Sequence, residues 1–299
     1  MAENNVVVTT KYVNKTNIIK KSFISVFWNR FKTNKMAVIG LVTIIILILI
    51  AIFVPILSKY SYTTMDYSNL YAKPSMKFLM GTDDGGRDMA TLLAYSLRNA
   101  FIVGFGAGIV ELCIGLLIGA TAGYFGGKID NILMRLTDII YGIPTFLFSI
   151  ILVLVMGRGL FTIFVAIGLV SWVGMARIVR GQVLTIKQSD YIEAGRALGA
   201  KNTRIILKYL IPNSIGPLIT ALSFSIPGAM FAESGLSLLG LGVMPPMPSW
   251  GTLIQRGTAF MLSYPYLLIF PALSFAITML AFSYLADGLR DAFDPKHDK

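Results

Sequence analysis

Residues 177–212 read RIVRGQVLTIKQSDYIEAGRALGAKNTRIILKYLIP, a polar and basic stretch that lies between two long apolar runs. The spacing predicts a helical hairpin. Asp190 is placed to cap a first short helix, with Glu193 in the capping-box position three residues later. Three apolar positions then share one helical face at i, i+3 and i+7: Tyr191, Ala194 and Leu198.

The second half of the stretch predicts a stop and a second helix. Gly199 is suited to the left-handed conformation that ends many helices. Asn202 or Thr203 is placed to cap the second helix, and Pro212 to mark its end. Between membrane spans, such a hairpin offers a small apolar face ringed by Arg and Lys. That is the form of a docking surface for another protein, although its helices could also simply cover the membrane domain.

The composition indicates an all-α polytopic membrane protein. The 299 residues are 55% hydrophobic and only 14% charged, with a mean hydropathy of +0.71. Apolar runs of about twenty residues each match the length of a transmembrane helix. The only cysteine, Cys113, lies inside such a run, so the sequence predicts a small packed thiol and no disulfide.

The apolar runs predict six transmembrane helices, at about 36–57, 99–122, 133–156, 161–178, 216–239 and 266–286. The chain is predicted to begin with a basic N-terminal segment (1–35), the first span (36–57) and an external segment (58–98). A five-helix core (99–288) follows, which contains the loop at 181–212, and a charged tail (289–299) ends the chain. Pro227 and Gly228 are expected to interrupt the fifth span. The stretch 245–250, PPMPSW, is too rich in proline to be helical.

The distribution of positive charge predicts the orientation. The formal net charge of +11 resides in blocks of Lys and Arg beside the apolar runs, which favours the positive-inside rule over nucleic-acid binding. With both termini in the cytoplasm, only seven of the 26 Lys and Arg side chains lie outside: Lys59, Lys73, Lys77, Arg87, Arg98, Arg158 and Arg256. This topology also places the hairpin in the cytoplasm.

Two carboxylates inside predicted spans are candidates for a translocation pathway. Glu111 lies in the second span and Glu233 near the outer end of the fifth. A membrane carboxylate suggests a proton or cation site, but a hydrogen-bonded structural role is an equal alternative.

The external stretch GTDDGGRD at 81–88 is acidic but lacks the spacing and the closing Glu of a calcium loop. It predicts a capped turn, and no metal site is expected.

The hairpin resembles the EAA loop of binding-protein-dependent ABC importers. That motif has Glu-Ala-Ala, three residues, Gly, nine residues and Ile-x-Leu-Pro. The matching positions here are Glu193, Ala194, Gly195, Gly199, Tyr209, Leu210, Ile211 and Pro212. Gly195, Tyr209 and Ile211 depart from the pattern but broadly keep its small or apolar character. The resemblance implies that the loop inserts into a groove of the ATPase subunit, with coupling residues Asp190, Tyr191, Glu193, Ala194, Gly195, Leu198, Gly199 and Pro212.

Further stretches resemble the oligopeptide, dipeptide and nickel permeases, in particular the C-type member of the permease pair. They are the segment 81–88, the turn Gly123-Tyr-Phe-Gly-Gly with Asp130, Met134, Arg135 and Asp138, the external segment 234–251, and Trp172, Arg177, Arg180 and Gln182 near the hairpin. The resemblance covers about residues 36–290. It implies a type I ABC importer (MetI-like) permease fold in a prokaryotic cell membrane.

The same resemblance implies the partners. They are a second homologous permease, two cytoplasmic ABC ATPases and an extracytoplasmic substrate-binding protein. No Walker A motif occurs, since Lys128 is followed by Ile129, so ATP and Mg are expected on the ATPases and no cofactor on this chain. Peptides are the expected cargo, with nickel or a metallophore complex as the alternative.

Two hypotheses from other classes remain. A proton-coupled secondary transporter would use Glu111 or Glu233 and need no ATPase, but the sequence shows no convincing repeat of two halves. A membrane-embedded enzyme would need a catalytic constellation. The single histidine, His297, is near the C-terminus and the single cysteine is inside a span, so we predict a non-catalytic subunit.

Overall fold

The computed structural model describes residues 23–293, and its regular elements there are helices. In chain order they are α1 (Phe23–Thr33), α2 (Lys35–Leu57), α3 (Met89–Phe125), α4 (Gly127–Tyr141), α5 (Thr145–Met156), α6 (Leu160–Ile186), α7 (Asp190–Ala197), α8 (Asn202–Ile205), α9 (Ile211–Leu238), α10 (Trp250–Ala259) and α11 (Tyr266–Phe293). A short 3₁₀ turn (Tyr67–Asn69) and a π turn (Ile206–Leu210) complete the set. Most of the predicted N-terminal segment and the end of the tail lie outside the described residues.

Within residues 23–293, five helical segments are long and apolar enough to cross a bilayer: α2, α3, α6, the continuous segment from α8 to α9, and α11. The pair α4 and α5 forms a sixth candidate span, bent by 86°. The all-α fold with six candidate spans is therefore confirmed.

The prediction of one continuous third span at 133–156 is wrong. The chain breaks between Tyr141 and Thr145, and α5 alone has 12 residues. A helix of that length is about 18 Å long, too short for a hydrocarbon core of about 30 Å. Pro144 explains the break, because proline has no N–H to donate and disfavours the helical conformation of the residue before it.

The expected interruption of the fifth span is also absent. α9 runs without a break through Pro217 and Pro227. Each proline removes one backbone hydrogen bond from the helix. In a membrane bundle, groups of neighbouring helices can satisfy the carbonyl that is left without a partner. The predicted non-helical character of PPMPSW holds for residues 245–249, but a helix that was not predicted, α10, begins at Trp250. Ser249 closes a capping box with Thr252 at its start.

Close packing of α3 on α6 forms the centre of the fold. A Cβ on Gly119 would lie 2.7 Å from the Cβ of Val179 and closer still to the carbonyl oxygen of Ala176. Gly115 faces Met175 in the same way. These glycines of α3 thus let the two helices approach to backbone contact.

Gly119→Ala is expected to lower the free energy of unfolding by about 1–3 kcal/mol, because the two helices must separate to admit the methyl group. The matched control is Gly174→Ala on α6, where a Cβ meets nothing within 4 Å. Thermal unfolding of both variants in mild detergent measures the difference. Equal melting temperatures would contradict this account of the α3–α6 contact.

The N-terminal span α2 lies at the edge of the bundle. Asn34 caps it by accepting a hydrogen bond from the Ala37 N–H, and the Asn34 amide donates to Asp291 at 3.0 Å. Its buried residues form one narrow stripe: Ala37, Gly40, Ile44 and Ala51. Ala37 and Gly40 contact α11, and Ile44 and Ala51 belong to a cluster with residues of α3 and α11. Long apolar side chains elsewhere on α2 are exposed, as expected of a helix surrounded mainly by lipid.

The segment between α2 and α3, predicted to be external, is held by its acidic residues. Asp88 caps α3 by accepting from the Thr91 N–H at 2.8 Å, which confirms the predicted capped turn. Asp83 accepts from the Gly85 and Arg87 N–H groups and from the Arg87 guanidinium. Hydrogen bonds from Ser68 and Asn69 hold the pKa of Asp66 below its usual value. Among residues 23–293 no cluster of metal-binding side chains occurs.

Candidate docking site for an ATPase

The hairpin exists, but its first helix begins differently from the prediction. α7 starts at Asp190 itself, Ser189 is the N-cap residue, and no side chain caps the helix. The Glu193 N–H donates to the Ser189 carbonyl oxygen at 3.4 Å. The predicted capping by Asp190 is therefore wrong, because the helix begins one residue too early for its carboxylate to serve as the cap. Asp190 and Glu193 both lie in the first turn, where negative charge stabilises a helix.

Gly199 ends the first helix as predicted. It has φ +80°, and the Ala200 N–H after it donates to the Gly195 carbonyl oxygen at 3.0 Å. Gly195 and Gly199 both have open space where a Cβ would be. The requirement for glycine at 199 is therefore conformational, since other residues rarely adopt this backbone angle.

The second helix departs from the prediction at both ends. Lys201 precedes its first residue, and the Asn202 side chain accepts a hydrogen bond from the Tyr124 hydroxyl at 2.7 Å, so it is not a cap. Pro212 does not end the helix, because the chain continues through a π turn into α9. Pro212 is the second residue of α9 and follows the π turn directly, inside one continuous helical segment.

The buried anchors of the hairpin are Ile192, Ile205 and Leu210, which pack on residues of α3, α6 and α9. Ile192 was not among the predicted residues. The predicted face of Tyr191, Ala194 and Leu198 points outward, as the docking hypothesis requires: all three residues are exposed, Leu198 to 89%, and Glu193 beside them is exposed too. Leu207 on the π turn is exposed as well. The helices thus use one set of apolar residues to attach to the membrane domain and leave a second set uncovered.

Tyr124, at the C-terminal end of α3, fixes the hairpin to the bundle. Besides its bond to Asn202, its ring lies under the Arg196 guanidinium at 5.4 Å and the Lys187 amine at 5.7 Å. The Lys187 amine also donates to the Tyr124 carbonyl oxygen at 2.5 Å. The sequence signal was an aromatic hydroxyl at the end of a span, a residue type that usually finds a polar partner there.

Two ion pairs join α4 to α6 just before the hairpin. The Arg180 guanidinium donates to both carboxylate oxygens of Asp130, at 2.5 and 2.6 Å. Arg177 donates to Asp138 at 2.7 Å and lies over the Tyr141 ring at 4.1 Å. The charged residues were singled out from the sequence, but their pairing was not. A bidentate pair fixes orientation as well as distance, so α4 braces the part of α6 that carries the hairpin.

The two candidate pathway carboxylates are enclosed by this chain. Glu111 on α3 is buried and accepts a hydrogen bond from Ser225 on α9 at 2.9 Å. Glu233 on α9 is 1% exposed and accepts from Ser237 at 2.7 Å and from Ser234 at 3.4 Å. Glu111 therefore joins α3 to α9, whereas both serines that donate to Glu233 lie on its own helix, α9.

The chain is a helical bundle with six candidate spans, and its exposed hairpin follows a part of α6 that ion pairs tie to α4. This architecture is typical of a membrane transport subunit. Residues 115–299 match the family of inner membrane components of binding-protein-dependent transport systems. Residues 22–74 match the N-terminal transmembrane domain of oligopeptide transport permease C. The chain belongs to this permease family.

Similar proteins indicate the branch of the permease family. The oligopeptide transport system permease protein OppC of Bacillus subtilis (strain 168) is 43% identical over 89% of this chain and 88% of its own length. The dipeptide transport system permease protein DppC of the same organism is 44% identical over 90% and 84%. The OppC protein of Escherichia coli (strain K12) is 38% identical over 89% of each chain.

A solved structure supports the fold. An inward-facing MetNI methionine ABC transporter aligns with a TM-score of 0.50 and 18% identity, over 66% of this chain and 96% of the other. The chain is thus a non-catalytic, multi-span permease of a bacterial inner membrane, and a transport system of this kind includes a substrate-binding protein and an ATPase.

Proposed function

We propose that this chain forms half of the pathway of an ATP-driven importer of oligopeptides or dipeptides, and that the hairpin α7–α8 is where a cytoplasmic ATPase docks. The exposed apolar face around Leu198, on a braced support, is the observation that carries the docking proposal. The peptide cargo rests on the similarity to the OppC and DppC proteins. Those names favour peptides over nickel or a metallophore complex.

The other half of the pathway would come from a second, homologous permease, and two ATPase subunits would bind ATP and Mg. Closure of the ATPases on ATP would draw the two hairpins together. Asp130 and Arg180 would carry this movement into α4 and α6, so that the bundle opens toward the binding protein by rigid-body motion. Glu193 lies in the first turn of α7 and on its exposed side, so its substitution affects helix stability and docking together.

The secondary-transporter alternative would assign proton transport to Glu111 or Glu233. Each of these carboxylates already accepts hydrogen bonds from serine side chains of this chain. Such a transporter would work without ATP hydrolysis. ATP-dependent uptake by vesicles that contain the purified complex is expected, and peptide uptake driven by a pH gradient alone would favour the alternative.

The proposed orientation has both termini and the hairpin in the cytoplasm. In a Cys113→Ser background, Leu198→Cys is expected to react with a membrane-impermeant maleimide only in inverted vesicles. Leu262→Cys, in the loop before α11 and 92% exposed, is expected to react only in intact cells. Labelling of the two positions from the same side would contradict the orientation.

A further inference from the structure

A rigid turn projects from the external segment at residues 75–78. The Ser75 N–H donates to the Phe78 carbonyl oxygen at 2.8 Å, and the Phe78 N–H donates to the Ser75 hydroxyl at 3.2 Å. The side chain of Phe78 is buried and therefore anchors the turn to the rest of the protein. Met76 at its tip is 97% exposed, and Leu79 just after it is exposed as well.

The turn is held against the end of α2. The Tyr60 hydroxyl donates to the Lys77 carbonyl oxygen at 3.1 Å, and the Tyr60 and Phe78 rings lie 5.2 Å apart. The end of α2 is itself tied to the start of α3, because the Ser58 and Thr91 hydroxyls are 2.7 Å apart. The position of Met76 relative to α2 is thus fixed by packing on both sides.

Met76 and Leu79 share a groove of about 390 Å³ with residues from the last turn and a half of α2, among them Phe53 and Leu57. At a rise of 1.5 Å per residue, Phe53 lies about 6 Å below the end of the helix. α2 has 23 residues and is therefore about 34 Å long, close to the thickness of a hydrocarbon core. The groove consequently begins at membrane depth.

We propose that the turn at 75–79 is a membrane-interface anchor, in which Met76 and Leu79 enter the leaflet around the end of α2 while Lys73 and Lys77 meet lipid phosphates. Both lysines are exposed and flank the apolar tip. Lipid is the occupant because the apolar surface is continuous with the exposed face of α2, which the bilayer covers. Lys side chains at such a boundary place their charge at the headgroups and their stems in the apolar layer.

This role goes beyond the proposed import function, since it assigns the external segment a lipid contact and not a contact with cargo or ATPase. An anchored turn would hold the external segment, with its Asp83–Arg87 pair, at a constant height over the pathway. The alternative occupant is the substrate-binding protein, which would also approach from this side.

The test uses the full chain in a Cys113→Ser background, reconstituted in vesicles of phosphatidylethanolamine and phosphatidylglycerol. A bimane fluorophore is attached to Met76→Cys or, as the matched control, to Tyr67→Cys, which is exposed in the same segment but does not line the groove. Phospholipids brominated on the acyl chain are expected to quench the label at 76 several-fold more than the label at 67. Aqueous iodide is expected to show the opposite order.

Equal quenching at the two positions, by either quencher, would overturn the proposal. Shielding of position 76 from iodide only after the binding protein is added would also overturn it and assign the turn to that protein. For the phosphate contact, replacing phosphatidylglycerol by phosphatidylcholine is expected to weaken lipid quenching in the chain with both lysines but not in a Lys73→Gln/Lys77→Gln variant. An identical response of the two would contradict that contact. None of these readouts depends on transport, so they remain informative if the proposed cargo is wrong.

Discussion

Leu198→Asp is expected to release the ATPase from this permease and to abolish ATP-driven peptide uptake. The side chain is 89% exposed at the tip of α7, so the substitution leaves the packing of the bundle intact. In a docked complex it would place a carboxylate in an apolar contact. Loss of a central interface residue costs about 2 kcal/mol or more, roughly 30-fold in affinity. Co-purification of the ATPase and peptide uptake measure the effect.

The matched control is Leu262→Asp, the same substitution at an equally exposed leucine in the loop before α11. It is expected to keep the ATPase bound and uptake close to that of the unmodified chain. Equal loss of function in the two variants would point to misfolding or poor insertion. Full peptide uptake by Leu198→Asp would show that the hairpin takes no part in coupling.

Asp130→Asn is expected to uncouple ATP hydrolysis from transport and to destabilise the end of the bundle that carries the hairpin. Arg180 loses its bidentate carboxylate, and hydrogen bonds to charged groups contribute about 1.5–3 kcal/mol each. The hairpin would still be present, because its anchors Ile192 and Ile205 are untouched. ATPase activity in the complex should therefore outlast peptide uptake, which a joint measurement in vesicles would show.

The neighbouring pair supplies the control. Asp138 and Arg177 are both more exposed than the Asp130–Arg180 pair, so Asp138→Asn is expected to cost only about 0–1 kcal/mol. Exchange of the charges, in an Asp130→Arg/Arg180→Asp variant, is expected to restore part of the stability lost by Asp130→Asn alone. A double-mutant cycle without any coupling between positions 130 and 180 would contradict the proposed brace.

The parts of the fold that depend on hydrophobicity were predictable from the sequence. Apolar runs predict where the spans lie, although not the break in the third. The glycine requirement at 199 follows from a local backbone angle that few other residues adopt. The close approach of α3 and α6 also follows from a local pattern, the glycine spacing that includes Gly115 and Gly119.

The details that failed depend on tertiary context. The span that contains Pro144 was predicted to be continuous but is bent, whereas the helix that contains Pro227 was predicted to be interrupted but is continuous. Pro212 was predicted to end a helix, because the π turn before it was not predicted, but the helix continues past it.

The most important feature of the site that the sequence does not predict is the direction in which the hairpin faces. Periodicity placed Tyr191, Ala194 and Leu198 together but could not tell whether that face is turned to the bundle or away from it. Ile192 is the buried residue of α7, because it belongs to a cluster with apolar residues of α3, α6 and α9. The pairing of Asp130 with Arg180 joins residues on different helices, and no local pattern encodes such a contact.

The most direct test of the account is a cross-link from the exposed tip of the hairpin. Leu198→Cys, in the Cys113→Ser background, is treated with a bifunctional thiol-to-amine reagent in membranes that contain the assembled transporter, and the adduct is identified by mass spectrometry. We expect a subunit that carries a Walker A motif, in an adduct whose yield changes with ATP, and no such adduct from Leu262→Cys. An adduct of Leu198→Cys with some other protein, or the same ATPase adduct from both positions, would contradict docking at the hairpin.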